Sequence, residues 1–161
     1  MIKHMTLSVE PNKGLGLLRF RASPEEAQAY LGPPDKVDQN ADPAVFGLGY
    51  YYERLRLDVL FHTDAILGRP HALSGPLRLA LFTTSCPDLT LWGVRIINLT
   101  EEDVLPALAT RGMGDLEYLE PEPYPEHLRD DVRIIRSRSL KLELHFCRGR
   151  LQNCQWGILP L

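Results

Sequence analysis

The chain repeats itself. The stretch Gly16-Leu17-Leu18-Arg19-Phe20-Arg21-Ala22-Ser23-Pro24-Glu25-Glu26-Ala27 recurs as Gly93-Val94-Arg95-Ile96-Ile97-Asn98-Leu99-Thr100-Glu101-Glu102-Asp103-Val104, at a constant offset of 77 that holds without a gap through Leu31 and Leu108. Such a repeat constrains the fold more than any short motif, because each copy is one supersecondary unit and neighbouring copies share a core. Both copies start as a short apolar strand, turn, and enter a helix. In the first, Ser23 suits the N-cap, Pro24 takes the first helical position, and Glu26 reaches back to the cap amide. In the second, Thr100 caps and Asp103 holds the place of Glu26 with a shorter, weaker side chain. Helix one is expected over residues 24–31, ended by Gly32-Pro33-Pro34. Helix two carries Pro106 inside its pattern, which removes a backbone donor and predicts an irregularity there.

A second match follows each helix. Leu55-Arg56-Leu57-Asp58-Val59-Leu60-Phe61 corresponds to Leu140-Lys141-Leu142-Glu143-Leu144-His145-Phe146 at an offset of 85. Alternation in both predicts strands with one buried face. The offset grows because the second copy is eight residues longer, and an acidic, Pro-rich loop at about 117–131 accounts for the insertion. Strands are also expected at residues 45–52 and 132–136, joined to the matched strands by hairpins through Glu53-Arg54 and Ser137-Arg138, and at 77–83 and 152–159. The expected fold is α+β: two tandem β-α-β-β-β repeats (about 14–84 and 91–161) in a single domain. They form antiparallel sheet with the helices on one face, covered by Ala27, Tyr30, Leu31, Val104 and Leu108.

An apolar strand leading into Ser-Pro-Glu-Glu-x-x-x-x-Leu-Gly-x-Pro (residues 23–34), followed by Tyr-rich and alternating strands, resembles the repeat of the β-lactamase-inhibitory protein and the SmpA/OmlA-like outer-membrane lipoproteins. The resemblance implies small helix-plus-sheet modules whose tandem copies form a sheet that grips a partner protein. The second copy departs from the motif, with Ala109 where the first has Gly32. β-Lactamase binding itself does not carry over, because the within-repeat cysteine pairs of a secreted inhibitor are missing. In general appearance the chain also resembles bacterial toxin-immunity proteins.

Parity assigns the other face of the strands. Tyr50 and Tyr52 join the leucine side, while Tyr51 is expected opposite Arg56 on the open face. That face should carry Tyr51, Arg56, Asp58, Leu60 and His62 from the first copy, and Arg136, Lys141, Glu143, His145 and Cys147 from the second. Aromatic, arginine and paired charged residues together are the chemistry of a protein-binding surface. The expected partner-binding residues are therefore Tyr51, Arg56, Asp58, His62, Arg136, Lys141, Glu143 and His145. The alternative is a solvated face with ordinary cross-strand ion pairs. Residues 115–131 hold seven acidic side chains and one arginine, which suits a cationic target such as a nuclease-type toxin.

Other classes are poorly supported. A net charge of −3 gives no electrostatic basis for nucleic-acid binding, and no apolar run approaches the roughly 20 residues that span a bilayer. Cys86, Cys147 and Cys154 are an odd set without a secretory leader, which predicts free thiols in the cytoplasm. The histidines His4, His62, His71, His127 and His145 lack metal-ligand spacing, and no phosphate loop or nucleophile elbow occurs. Trp92 and Trp156 are expected as core or sheet-edge anchors. No metal, cofactor or catalytic residue is expected. The functional expectation is a non-catalytic protein-binding protein, an immunity protein neutralising a bacterial toxin. The alternative is a small-ligand-binding or enzymatic domain, with a pocket between helices and sheet that converges on His62, His145 or Asp58.

Overall fold

The computed structural model describes residues 7–39, 47–63, 76–111, 115–121 and 124–158. His4, His71, Pro123, the start of the strand expected from Val45, and the Leu159 end of the last expected strand lie outside them. The helices form where their caps dictate. Helix α1 spans Pro24–Leu31: the Ser23 hydroxyl accepts from the Glu26 amide at 3.1 Å, and the Glu26 carboxylate accepts from the Ser23 amide at 3.2 Å. It ends at Gly32, whose φ of 88° lies where a Cβ is disfavoured. Helix α2 spans Glu101–Ala109 and keeps Pro106 inside it. The Asp103 amide donates to the Thr100 hydroxyl at 3.3 Å. The shorter Asp103 side chain accepts from that same hydroxyl at 3.0 Å, where Glu26 reaches the cap amide.

Strands dominate the rest, in two sheets. The smaller has the order β3 (Leu18–Arg19), β2 (Gly14–Leu15), β1 (Ser8–Glu10), β8 (Thr90–Leu91), β9 (Val94–Arg95). The larger runs β10 (Leu116–Leu119), β11 (Val132–Ser137), β12 (Leu142–Cys147), β13 (Arg150–Gly157), β7 (Arg78–Thr84), β6 (Leu57–His62), β5 (Leu48–Tyr52), β4 (Lys36–Asp38). Each helix is thus followed by four strands that pair in chain order, and β7 meets β13 at the centre. The class is α+β, mostly strand, with antiparallel pairing throughout the large sheet. The strands form two sheets, and one expectation needs correction: β1 pairs with β8 in parallel. The short strands β1, β4 and β10 leave no signal in the sequence because three or four residues carry too little alternation.

The stretches at offset 77 make matching backbone contacts. The Arg21 amide donates to Leu79 O and the Leu79 amide to Ala22 O, both at 2.8 Å; Asn98 donates to Leu151 O at 2.6 Å and Leu151 to Leu99 O at 2.8 Å. Arg21 and Asn98 both take positive φ, at 72° and 74°. In the large sheet the register shifts between Leu60 and Phe61 and again between His145 and Phe146, leaving Ala80 and Gln152 as the extra residues of two bulges.

The core lies between the large sheet and a second layer made of both helices and the small sheet. Leu57, Val59 and Phe61 and their counterparts Leu142, Leu144 and Phe146 form one buried stripe. They pack with Ala27, Leu31, Val104 and Leu108 of the helices and with Val9, Leu15 and Leu18 of the small sheet. Tyr30 is only partly buried. Trp156, fully buried, joins the layers: its ring stacks on Phe82 at 5.1 Å and its Nε1–H donates to Gly14 O at 2.8 Å. Trp92 is partly buried against the same core. Cys86 and Cys154 are buried free thiols and Cys147 a half-buried one, and burial pushes the Cys154 thiol upward.

Candidate functional site

The face of the large sheet opposite the helices is built by strand parity. Across it runs a row of directly paired residues, one from each strand: Glu117, Arg136, Glu143, Gln155, Thr83, Asp58, Tyr51 and Lys36. Arg136 Nε lies 2.8 Å from Glu117 Oε1, and Arg136 Nη1 lies 4.0 Å from Glu143. Arg138 Nε reaches the same Glu117 oxygen at 2.8 Å. The Thr83 hydroxyl meets Gln155 Oε1 at 3.5 Å, and Lys36 Nζ lies 5.5 Å from the centre of the Tyr51 ring. Hydrogen bonds from Arg138 and Arg136 hold the Glu117 carboxyl below its ordinary value.

The two ends of the row differ in compensation. Glu143 is flanked by Arg136 and His145. Asp58, at the corresponding place on β6, makes no hydrogen bond or ion pair within the described residues, and burial alone raises its pKa. Tyr51, its cross-strand neighbour, is raised first by burial and then by Asp38 and Asp58.

Beside the row, the segment 124–131 folds over the end of β11 and β12. Its residues Glu126–Asp131 form a 3-10 turn, so the stretch expected as a loop at 117–131 begins as strand β10 and ends as this turn. Tyr124 Oη lies 2.7 Å from His145 Nδ1, and His145 Nε2 lies 3.2 Å from Glu143 Oε2. Because an ionised carboxylate only accepts, Nε2–H donates to Glu143 and Nδ1 accepts the phenolic proton. Burial, then the charges of Cys147 and Glu143, raise the Tyr124 pKa, which keeps that proton in place. The segment and sheet enclose a cleft of about 280 Å³ lined by Ser85, Tyr124, Leu128, Val132, His145, Phe146, Cys147, Gln152 and Asn153. Both ring nitrogens of His145 are committed, leaving none to activate the Cys147 thiol; the geometry is a Tyr–His–Glu relay, not a Cys–His pair.

Of the residues expected on this face, Tyr51, Asp58, Leu60, Arg136, Glu143, His145 and Cys147 are on it. The others need correction. Arg56 and Lys141 sit in the turns before β6 and β12, both at positive φ (45° and 50°). Each hairpin turns through four residues instead of two, so Tyr52 pairs with Leu57, Tyr51 with Asp58 and Ser137 with Leu142. His62 has outer-face parity but is only 2% exposed, its Nδ1 held 2.6 Å from Thr63 O and its Nε2 buried without a partner among the described residues. A pocket of about 150 Å³ does lie between α2 and the small sheet, but it is lined by Leu91, Ile96, Val104 and Leu108 and their neighbours, and contains none of His62, His145 or Asp58. Sequence reasoning missed Glu117, Lys36, Thr83, Gln155, Tyr124 and Asn153. Only Tyr124 left a signal, as the aromatic residue of an otherwise polar, Pro-rich run.

At the acidic insertion, Asp115 accepts from the Ser139 amide at 2.7 Å and the Ser137 hydroxyl at 2.8 Å, and these bonds lower its pKa from 3.8. A carboxylate whose folded value is depressed stabilises the fold fully above its unfolded value and loses that contribution as pH falls through the lower one. The Ser139 amide proton resonance is therefore expected to titrate with a midpoint below 3.8. A midpoint at or above that value would show that the bond is absent in solution.

No family model matches the chain, and no curated protein matches it. Among solved structures it is similar to an extracellular protein containing an SCP domain from Bacillus anthracis str. Ames. The identity is 11%, the TM-score is 0.49, and the match covers 85% of this chain. The chain spans 43% of that protein's length. Among the described residues no helix is long and apolar enough to cross a membrane.

Proposed function

We propose that the chain is a non-catalytic protein-binding protein, built of two tandem repeats in which a helix is followed by four strands, and gripping its partner with the outer face of the large sheet. The observation that carries this reading is the transverse row of eight residues. A sheet face needed only for solubility has no use for a half-buried carboxylate without a counter-charge, and Asp58 has none among the described residues. A partner bringing a cation to Asp58 and an apolar or cationic group to Tyr51 supplies what the free face lacks. The acidic run at 115–131 borders the same face, and long-range attraction of a basic protein follows from it. A cationic toxin neutralised in the cytoplasm by an immunity protein is the partner class that fits this charge. The likeness of the chain to the tandem inhibitory repeat supports the same binding style.

Site-directed photo-crosslinking tests the reading. A crosslinker at Tyr51 is expected to trap a single partner in cells, whereas one at Leu17, exposed on the small-sheet hairpin, traps none. With that partner purified, Asp58→Lys is expected to weaken binding at least about tenfold, since it puts a like charge where a cation docks. Charge reversal at Arg56, off the face, leaves affinity unchanged. Equal trapping from both positions, or an Asp58→Lys variant that binds as the parent does, would overturn the proposal.

One observation favours a second reading, a small-ligand or enzymatic domain: the Tyr124–His145–Glu143 relay stands in the wall of a cleft. Turnover dependent on Tyr124 would separate this reading from the first.

A further inference from the structure

The cleft under the 124–131 segment holds an unmet demand. Asn153, directly across from His145 in the sheet, lines it, and its Oδ1 is buried with no hydrogen-bond partner among the described residues. A buried acceptor left unpaired is costly, and the cost is recovered when a donor reaches it. Tyr124 Oη lines the same cleft. Its proton is spent on His145 Nδ1, so what it still offers a guest is an acceptor. With Asn153 Oδ1 unmet, these two acceptors favour a guest that donates. The remaining wall is apolar where Leu128, Val132 and Phe146 contribute, and that suits a planar, weakly hydrated donor better than a compact, strongly hydrated one. The surroundings set the sign of charge: the 124–131 roof carries Glu126, Asp130 and Asp131 against Arg129. At about 280 Å³ the cleft falls just below the usual range for whole small-molecule ligands, and fits a side-chain-sized group.

We propose that this cleft is a guanidinium-binding site, with Asn153 Oδ1 and Tyr124 Oη accepting from the planar N–H edge and Leu128, Val132 and Phe146 supplying the apolar wall. The guanidinium belongs either to an arginine of a protein docked on the outer face, which rests on the reading proposed above, or to a free small guanidine.

Titration of the isotope-labelled chain, followed by amide resonances, tests this without a partner. The probes are N-ethylguanidinium, the capped tripeptide Gly-Arg-Gly, and N-ethylurea as the uncharged counterpart. Saturable shifts clustered at Ser85, His145, Gln152 and Asn153 are expected with both guanidinium probes, and not with ethylurea. Asn153→Asp is expected to tighten guanidinium binding about tenfold, and Asn153→Leu to weaken it by a similar factor, as for a hydrogen bond to a charged group. Tyr124→Phe, which keeps the ring and drops the oxygen, weakens it as well and serves if the leucine variant does not fold. Tighter binding of the tripeptide assigns the site to a partner's arginine; tighter binding of ethylguanidinium assigns it to a small ligand. The absence of saturable shifts, equal binding of ethylurea, or indifference to both substitutions would overturn the site. None of those results bears on Asp58, so the surface reading stands or falls separately.

Discussion

Trp156→Ala is expected to destabilise the fold by about 3–5 kcal/mol, the usual cost of deleting a fully buried large aromatic side chain. The side chain has no exposed surface, stacks on Phe82, and donates to a carbonyl of the other layer. Its loss therefore opens a cavity at the centre of the core and removes a bond between the two sheets. The pair Trp156→Ala and Trp156→Phe separates these contributions. Phenylalanine retains the stack against Phe82 but cannot donate to Gly14, so it should lose about 1–3 kcal/mol, the penalty for an unmet buried polar group. Urea unfolding with an unchanged m-value gives both numbers. A phenylalanine variant as unstable as the alanine one would mean that the indole N–H, not the packing, dominates.

Gly14→Ala is expected to cost about 3 kcal/mol or more, which for a single methyl group is large. Gly14 has a φ of 150°, and a Cβ built on it would stand 1.9 Å from Leu18 O, a backbone atom that cannot swing aside. The β2–β3 hairpin would have to open, carrying with it the carbonyl that receives the Trp156 proton. Gly32→Ala is the comparison, because there a Cβ meets nothing within 4 Å and only the positive φ opposes it. A smaller loss at Gly32 than at Gly14, measured by thermal unfolding, is the expected order, and the reverse would place the strain elsewhere.

What the sequence revealed follows from which interactions are local. Both caps were legible because Ser23 with Glu26, and Thr100 with Asp103, act over three residues. The leucine stripes were legible because burial on one face imposes a period of two. The assignment of faces even survived a wrong hairpin. Tyr51 was expected against Arg56 and pairs with Asp58 instead, but a slip of two residues returns every side chain to its own side. Arg56 was lost to that slip and Lys141 to one of four residues in the second hairpin, since these moved them out of the strands and into the turns. The small sheet could not be foreseen: β1 gains its place by pairing with β8, far away in the chain, and three residues of Ser-Val-Glu do not announce it. Likewise nothing local to Tyr124 says that it bends back onto His145, because that contact exists only once β11 and β12 have paired.

The order of strands in the large sheet has a consequence for how the chain reaches its native form. On each side of the centre, neighbours in space are neighbours in sequence, so the three pairings of each half close over connections of at most 15 residues. Only the β7–β13 pairing, with four matched residues from Cys154–Thr84 to Gly157–Leu81, joins distant parts of the polypeptide within that sheet. Within the large sheet, loop-closure entropy is thus concentrated in a single event, to which the small sheet adds the β1–β8 pairing. Changes to Thr83, Phe82 or Gln155 at this seam are therefore expected to act on the rate of assembly, where equal changes at the outer hairpins act on the rate of coming apart.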